Sequence, residues 1–250
     1  MQQEKDSLEH HGAFEWVTPI LKDHKAISIC WTFAHKYNPD RSIKHSNEKV
    51  RLVVQGFSQH EGVDFMETYA PVVKLTSMQL ILAYTNHHNY NIMSFDVKTA
   101  KLNYLLYAKQ IPSFPEADPD TILWLLVALY GCHQSAYEFY TFFLKLLICI
   151  GLSHSKLDHS IFIGHWVSPP QSSISMPLTG KPLILIIPIH VDDGLVATNS
   201  TPLYFWFIDQ LMPDLEIVDM GPVSMCLRER ITCNRTDRKI WISQRPLLID

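Results

Sequence analysis

Three aspartates stand at the ends of apolar segments, where carboxylates can bind a divalent cation. Asp192 and Asp193 directly follow the mostly aliphatic residues 183–191, and Asp96 stands near the end of the apolar residues 91–97. Adjacent carboxylates repel one another, and a cation between them relieves that cost. Mg²⁺ prefers hard oxygen ligands and commonly takes one or two carboxylates together with substrate phosphates. The aspartates therefore indicate a candidate magnesium site; the alternative is that the pair only begins an ordinary Asp-Gly hairpin turn.

The segments around these aspartates predict strands that would bring the carboxylates together. Strands are predicted over residues 91–97 and 183–191. If Gly194 permits a tight turn, residues 195–198 form a further strand that runs back along the second one. All three carboxylates would then meet at one edge of a sheet. Pro188 lacks a backbone donor, so we expect it to interrupt the strand before the pair.

The rest of the chain mixes strand and helix patterns without strict alternation, which predicts the α+β class. Apolar residues at steps of three and four predict that residues 133–150 form a helix with one face in the core. A second helix is predicted over residues 76–90, with Thr76 as a candidate N-cap. Further predictions are a hairpin over residues 27–54 with its turn at 38–42, a buried strand over 122–130, a helix over 201–212, and two strands around a polar turn at 234–238.

Composition predicts a soluble intracellular protein and argues against several kinds of site. The 250 residues are 47% hydrophobic, the N-terminus is polar, and no apolar run is long enough to span a bilayer. Five scattered cysteines without a CxxC pair predict reduced thiols and argue against zinc. The sequence contains no P-loop, GxGxxG, GxSxG or HExxH motif. We therefore expect a protein that is neither secreted nor bound to a membrane.

The net charge of −4 is opposite in sign to that of most nucleic-acid-binding domains. Two stretches, residues 44–51 and 228–239, are nevertheless locally basic. The local field along a groove matters more for binding than the total charge. The second stretch is equally well explained as a solvated face, so charge alone does not decide whether nucleic acid binds.

Six segments resemble, in order, the motifs of the copia-type reverse transcriptase domain in the pol polyproteins of long-terminal-repeat retrotransposons. SFDVKTAKLNY is similar to the first aspartate motif, and IHVDDG is similar to the YVDD box. The similarity extends over residues 15–245, nearly the whole chain. The matching segments are residues 49–77, 94–104, 128–140, 157–163, 189–194 and 217–231, with WISQ at 241–244 after them.

The resemblance implies a right-hand polymerase with fingers, palm and a truncated thumb, which copies an RNA or DNA template into DNA. Residues 1–14 would form a polar N-terminal tail, and residues 15–245 the reverse transcriptase domain. The alternative is a degenerate, catalytically inactive remnant with at most weak nucleic-acid binding. The implied division assigns roughly residues 15–90 and 115–160 to the fingers, 91–114 and 161–232 to the palm, and 233–250 to the start of the thumb.

The same resemblance implies roles for individual residues in two-metal phosphoryl transfer. Asp96 and Asp192 would hold two Mg²⁺ ions, for which Mn²⁺ can substitute, and Asp193 would assist. Nucleotide binding is implied for Arg51, Lys49, Gln134 and Lys101, and primer or template binding for His190, Arg228 and Arg230.

The implied partners are a primed RNA or DNA template and deoxynucleoside triphosphates. In an intact element, the ribonuclease H and integrase domains of the same polyprotein would be partners too. The implied location is the cytoplasm, inside a virus-like particle, or the nucleus.

Three departures from the family pattern occur at functional positions. Lys101 stands where the family has an aromatic side chain that blocks the ribose 2′-hydroxyl, so selection of deoxynucleotides should weaken. His190 replaces a tyrosine, and Arg228 stands where a glycine is expected. If that glycine serves a close backbone approach or a positive φ, arginine disturbs the primer-holding region. Lys101, Arg228 and Pro188, together with the missing thumb, favour the inactive-remnant alternative.

Overall fold

The computed structural model describes residues 1–18, 25–37, 43–100, 106–116, 118–126, 129–171, 174, 181–227 and 229–244, with the backbone alone at 35–37, 43–49 and 98–100. The chain divides into two compact units, Met1–Tyr69 with Thr99–Thr141, and Ala70–Lys98 with Phe142–Asp250. The fold is mixed α and β, while its division into fingers, palm and thumb stays a prediction. None of the helices in the described ranges has the length and apolar character that crossing a membrane requires.

Four helices and fourteen strands occur in the part of the chain that the structure describes. The helices are α1 (Gln2–His10), α2 (Leu75–His88), α3 (Ser135–Ile150) and α4 (Thr201–Leu211). The strands are β1 (Phe14–Val17), β2 (Ile29–Tyr37), β3 (Ile43–Val54), β4 (Asn91–Ala100), β5 (Leu106–Ala108), β6 (Ile122–Leu125), β7 (Ser153–His154), β8 (Ile161–Trp166), β9 (Leu183–His190), β10 (Asp193–Thr198), β11 (Leu215–Pro222), β12 (Met225–Cys226), β13 (Glu229–Asn234) and β14 (Lys239–Ser243).

The first unit contains a three-stranded antiparallel sheet in the order β1-β6-β5 and an antiparallel hairpin of β2 and β3. The hairpin confirms the strand pair predicted in residues 27–54, and its predicted turn at 38–42 lies outside the described residues. The core of this unit is formed by apolar side chains from both sets of strands, among them Phe14, Ile29, Leu52, Val54, Leu106, Leu123 and Leu125.

The second unit is built on a six-stranded sheet in the order β11-β4-β10-β9-β8-β7. Successive side chains of a strand point to opposite faces of the sheet. On one face, the buried ring of Phe95 contacts Phe207 of α4 and Phe143 of α3, with ring centroids 6.0 Å and 6.4 Å away. The other face carries Asp96 and Asp193. Its core comprises Met78 and Leu82 of α2 together with Ile92, Leu195, Val223 and Ile231.

The helices predicted over residues 133–150 and 201–212 are confirmed as α3 and α4. The two predicted strands around residues 234–238 are confirmed as the hairpin of β13 and β14. Only Phe143 and Leu147 of the predicted apolar stripe on α3 are fully buried. The strand predicted over residues 122–130 ends earlier, at Leu125, and residues 127–128 lie outside the described ranges.

Pro188 does not interrupt its strand, so that expectation was wrong. β9 continues through the proline and pairs with β8 at Ile161↔Pro188. On the other side, β9 pairs with β10 before and after the proline, at Ala197↔Ile186 and Gly194↔Ile189, in one unshifted register. A proline removes a single donor, and the neighbouring bonds on both sides keep the strand in the sheet.

The start of α2 also differs from the prediction that Thr76 caps it. Lys74 occupies the N-cap position, and Thr76 lies inside the first turn. A carboxylate from a distant loop satisfies this helix end: Asp158 accepts hydrogen bonds from the backbone N of Lys74 at 3.3 Å and from Ser77 Oγ at 2.7 Å. Burial alone would raise the pKa of Asp158, but its hydrogen bonds from Ser77, Ser160 and Lys74 lower it overall.

Replacing Asp158 by Asn is expected to lower the free energy of unfolding by about 1–2 kcal/mol at neutral pH, because charge-assisted hydrogen bonds to a buried carboxylate are lost. The pKa of Asp158 is lower in the folded chain than in the unfolded chain. Its ionised carboxylate therefore stabilises the fold above the unfolded-state pKa, and this stabilisation is lost as pH falls through the folded-state pKa. Urea unfolding of both proteins should therefore show a difference that shrinks with acidification. Asp214→Asn, at an exposed position of the same unit, is the matched control; an equal effect there would contradict this role.

Candidate active site

The structure brings the three predicted aspartates to the same end of the β4 and β10 strand pair. Asp193 lies directly opposite Asp96 on β4 and opposite His190 on β9. The backbone N of Val97 donates to the carbonyl oxygen of Asp192 at 3.0 Å, which holds the adjoining turn against β4. Side chains directly opposite in an antiparallel pair share one face, with Cβ atoms about 4.5–5.5 Å apart. Sheet pairing thus unites residues that are far apart in sequence.

The other two carboxyl groups act on the pKa of Asp193. Asp193 is exposed, but partial desolvation by its neighbours raises its pKa, the negative charges of Asp192 and Asp96 raise it further, and His190 partly offsets them. A carboxyl group with a raised pKa favours the protonated form, so its ionisation costs folding stability as pH rises. A bound cation would reverse that preference, because it stabilises the ionised form.

The hairpin turn at this site does not lie at Gly194, as the sequence suggested. His190 pairs with Asp193, so Val191 and Asp192 form a two-residue turn between β9 and β10. Val191 has a φ of 57°, in the left-handed region. A β-branched residue is strained there, because its Cβ approaches the following carbonyl oxygen. The turn therefore holds Asp192 at its tip at a cost in backbone strain.

Val191→Gly is expected to raise the free energy of unfolding by about 0.5–1 kcal/mol, because relief of left-handed strain exceeds the entropy that glycine adds to the unfolded chain. Thermal or urea unfolding measures the change. Val167→Gly provides the matched control, since Val167 is exposed and its φ is negative; that variant should only lose stability. If both variants lose stability equally, Val191 carries no strain.

Gly194 lies inside β10, and a different constraint explains why it is glycine. A Cβ at this position would lie 2.1 Å from Cζ and 2.3 Å from Cε1 of Phe95. Phe95 is the residue directly opposite on β4, and its ring lies over the glycine. The missing side chain thus makes room for the aromatic ring that supports the strand pair beneath the aspartates.

Two further residues near the aspartates were missed by sequence reasoning. Burial, together with the negative charges of Asp193 and Glu229, raises the pKa of the Cys226 thiol to about 11. Glu229 is buried, and its Oε1 accepts a hydrogen bond from Gln244 Nε2 at 2.8 Å. Neither residue stands out by type or spacing, because the pairing of β12 with β13 brings them together and tertiary packing sets Cys226 against the core cluster that contains Leu195 of β10. Arg230, the predicted primer contact on β13, is exposed, and Arg228 lies outside the described residues.

Three of the four predicted nucleotide-binding residues, Arg51, Lys49 and Gln134, belong to the first unit. The guanidinium carbon of Arg51 lies 4.6 Å from the ring centroid of Tyr130, within cation–π distance. Lys49 lies on β3 opposite Ala34, with only its backbone described, and Lys101 lies outside the described residues. Their roles in nucleotide binding stay predictions.

Gln134 is only 4% exposed, and its amide is already hydrogen-bonded inside the first unit. Its Nε2 donates to the carbonyl oxygen of Asp64 at 2.8 Å, and its Oε1 accepts from Gln59 Nε2 at 3.0 Å. Gln59 in turn accepts from the backbone N of His133 at 2.9 Å. The side chain therefore anchors the segment that contains Gln59 and Asp64, and its predicted contact with a nucleotide is untested.

The donor set at the strand turn suits a divalent cation in its chemistry, since Asp96, Asp192 and Asp193 offer only carboxylate oxygens. Desolvation first, and then the negative charges of Asp192 and Asp96, raise the pKa of Asp193, and a bound cation would offset both effects. Across the described residues, no group of three or more His, Cys, Asp or Glu side chains is close enough to hold a metal ion. Cation binding would therefore require the three side chains to converge.

Comparisons with known proteins place these features in a family context. A family model described as "Reverse transcriptase (RNA-dependent DNA polymerase)" matches residues 14–245. The chain is 28% identical over 249 residues to the Retrovirus-related Pol polyprotein from transposon TNT 1-94 of Nicotiana tabacum, covering 98% of this chain and 18% of that protein. It is 30% identical over 246 residues to the Retrovirus-related Pol polyprotein from transposon RE1 of Arabidopsis thaliana, covering 96% of this chain and 16% of that protein. The chain thus spans less than a fifth of the length of these relatives.

Proposed function

The chain belongs to the reverse transcriptase (RNA-dependent DNA polymerase) family, and we propose that it acts as the DNA-polymerising core of a copia-type retrotransposon polyprotein. The observation that carries this proposal is the cross-strand pair of Asp96 and Asp193, with Asp192 in the adjoining turn. These aspartates occupy the positions that resemble the family's aspartate motifs, and the charges of Asp192 and Asp96 add to desolvation in raising the pKa of Asp193.

In this proposal, Asp96 and Asp192 hold two Mg²⁺ ions, and Asp193 assists. Ions held there would supply Lewis acidity for the primer 3′-hydroxyl and positive charge for the phosphoryl oxygens. The contribution of the chain is to fix the backbone beneath the carboxylates: they stand at the end of a hydrogen-bonded ladder of strands, so only their side chains would have to converge before a cation binds. His190, opposite Asp193, offsets part of the negative charge at the site.

The negative charge of the incoming nucleotide would be met by Arg51 on β3. Stacking against Tyr130 restricts the guanidinium and reduces the entropy lost when it binds a triphosphate. The exposed Arg230 on β13 is available to the primer backbone. Lys49, Gln134 and Lys101 are further proposed nucleotide contacts, and Arg228 a further primer contact.

The proposed partners are a primed RNA or DNA template and deoxynucleoside triphosphates. Because the relatives are Pol polyproteins several times longer than this chain, we propose that the polymerase works beside ribonuclease H and integrase domains of the same element. The cytoplasm, inside a virus-like particle, or the nucleus would be its location.

A second candidate is an inactive remnant with weak nucleic-acid binding. The observation in its favour is that the described carboxylates are not gathered closely enough to form a metal site. Pro188 no longer supports this alternative, because β9 passes through it without a break.

Extension of a labelled DNA primer on an RNA template distinguishes the two candidates. The polymerase proposal predicts extension in Mg²⁺ or Mn²⁺ and none in the presence of EDTA. The Asp192→Asn variant defines the background. Extension that does not exceed this background in either metal would reject the polymerase and favour the remnant, while family membership would stand.

A further inference from the structure

A cleft in the second unit lies between the end of α2, the start of β4 and the tip of the β13–β14 hairpin. It encloses about 200 Å³. Its polar lining comes mainly from amide and cationic side chains: Asn86, Asn89, Asn91, Asn234, Arg235 and Lys239. No role proposed above uses these residues.

The cleft lies at the start of β4, away from the aspartates. Asn91, the first residue of β4, lines the cleft, and Asp96 is five residues further along the strand. At about 3.3 Å per residue, these positions are about 17 Å apart. Their partners on β10 are Thr198 and Asp193, at opposite ends of that strand. A ligand in the cleft would therefore not occupy the candidate active site.

The hairpin tip concentrates positive charge on this cleft. Arg235 donates hydrogen bonds to Asn91 Oδ1 and to the carbonyl oxygen of Asn89, so its guanidinium is held in place. Lys239 is 61% exposed, and Asp237 at 3.9 Å offsets part of its charge. Arg238 has a positive φ of 50°, and its carbonyl oxygen accepts from Asn86 Nδ2 at 2.8 Å. The hairpin tip carries three cationic side chains, Arg235, Arg238 and Lys239, and one carboxylate, Asp237. It is therefore basic, although the whole chain has a net charge of −4.

An exposed cluster of rings adjoins the cleft. Tyr84 and His88 lie 4.4 Å apart between ring centroids, and Tyr90 lies 5.5 Å from His88 and 6.0 Å from Tyr84. His87 extends the cluster, 4.8 Å from His88. Tyr84 is exposed, while Tyr90 also lines the cleft. Burial, followed by the neighbouring Tyr84, raises the pKa of Tyr90, so its hydroxyl stays neutral beside an anion.

We propose that this cleft and the ring cluster beside it form a second binding site, for single-stranded nucleic acid, remote from the aspartates. Cations that contact phosphates and aromatic rings that stack on bases are the two components of such sites. The small cleft has room for one phosphate and its sugar but not for a whole dinucleotide cofactor. A polymer strand therefore fits better than a free nucleotide, with one phosphate on Lys239 and Arg235 in the cleft, the next on Arg238 at the exposed hairpin tip, and a base on Tyr84. An acidic peptide would use the cations but would leave the rings unoccupied.

Fluorescence anisotropy of a labelled oligothymidylate, in EDTA, tests the site without requiring polymerase activity. The double variant Arg238→Gln, Lys239→Gln is expected to weaken binding about tenfold and to reduce the slope of log affinity against log salt by about 1.4, since each single-strand phosphate contact contributes about 0.7. Arg235 is left intact because its bonds to Asn89 and Asn91 support the fold. The double variant Lys145→Gln, Lys156→Gln removes two exposed charges from the same unit and should change neither quantity.

Tyr84→Leu should weaken the oligonucleotide about tenfold without changing the salt slope, because stacking is lost and no charge is removed. Asp209→Asn, at an exposed carboxylate of the same unit, should bind like the original chain. Because the measurement is made in EDTA and needs no polymerisation, failure of the polymerase proposal leaves this result unaffected. If the two double variants bind the oligothymidylate with the same affinity and the same salt slope, the proposed site is wrong. Displacement by polyglutamate with no effect of Tyr84→Leu would also overturn it and would identify an acidic protein partner instead.

Discussion

Asp192→Asn is expected to reduce primer extension by at least about 10²–10³-fold, the size of effect that follows loss of one transition-state-stabilising group. Asn keeps the shape of the side chain, but it lacks the charge that a divalent cation requires. Asp192 stands at the tip of a hairpin turn whose backbone is bonded to β4, so the substitution should leave the fold intact. Rates under saturating Mg²⁺, together with unfolding curves, separate loss of catalysis from loss of structure.

Asp209→Asn is the matched control for this variant. Asp209 is an exposed carboxylate on α4 in the same unit, so its loss changes net charge by the same amount without touching the turn. Its activity should stay within about twofold of the unmodified chain. Full activity in the Asp192 variant, or equal losses in both, would show that the aspartate turn is not the catalytic centre.

Gly194→Ala is expected to lower the free energy of unfolding by about 3 kcal/mol, because the added methyl group overlaps the buried ring of Phe95. The ring cannot simply turn away, since it also contacts Phe143 and Phe207. The strands would have to separate, and the pairing of Asp96 with Asp193 one residue away would be disturbed. Primer extension should therefore fall together with stability in urea unfolding.

A double-mutant cycle with Phe95→Leu isolates the cause. Leu at position 95 leaves space above residue 194, so the combined variant should lose at least about 1 kcal/mol less than the sum of the single variants. Gly221→Ala serves as control: nothing lies within 4 Å of the added Cβ there, and only the positive φ of 71° is strained. If the combined variant loses as much free energy of unfolding as the two single variants together, the steric explanation is wrong.

Much of the local structure was predictable from the sequence, because hydrophobic periodicity depends on neighbouring residues. The strands that carry Asp96 and the aspartate pair, the helices at α3 and α4, and the β13–β14 hairpin all follow from such patterns. The ordered motifs were also sufficient to predict the family, which the match over residues 14–245 confirms. By contrast, the expected break at Pro188 was wrong, since strand continuity depends on the bonds that its neighbours make.

The aspartates themselves illustrate the division between sequence and tertiary structure. Their residue types, their order and their place after apolar strands were determined by the sequence alone. Only the tertiary structure decided that Asp193 faces Asp96, that the turn falls at Val191 and Asp192, and that Gly194 accommodates Phe95. The carboxylate of Asp158 at the start of α2 and the buried amide of Gln134 were decided in the same way. The physical reason is that pairing register, steric fit and hydrogen-bond partners depend on residues distant in sequence, which no local pattern specifies.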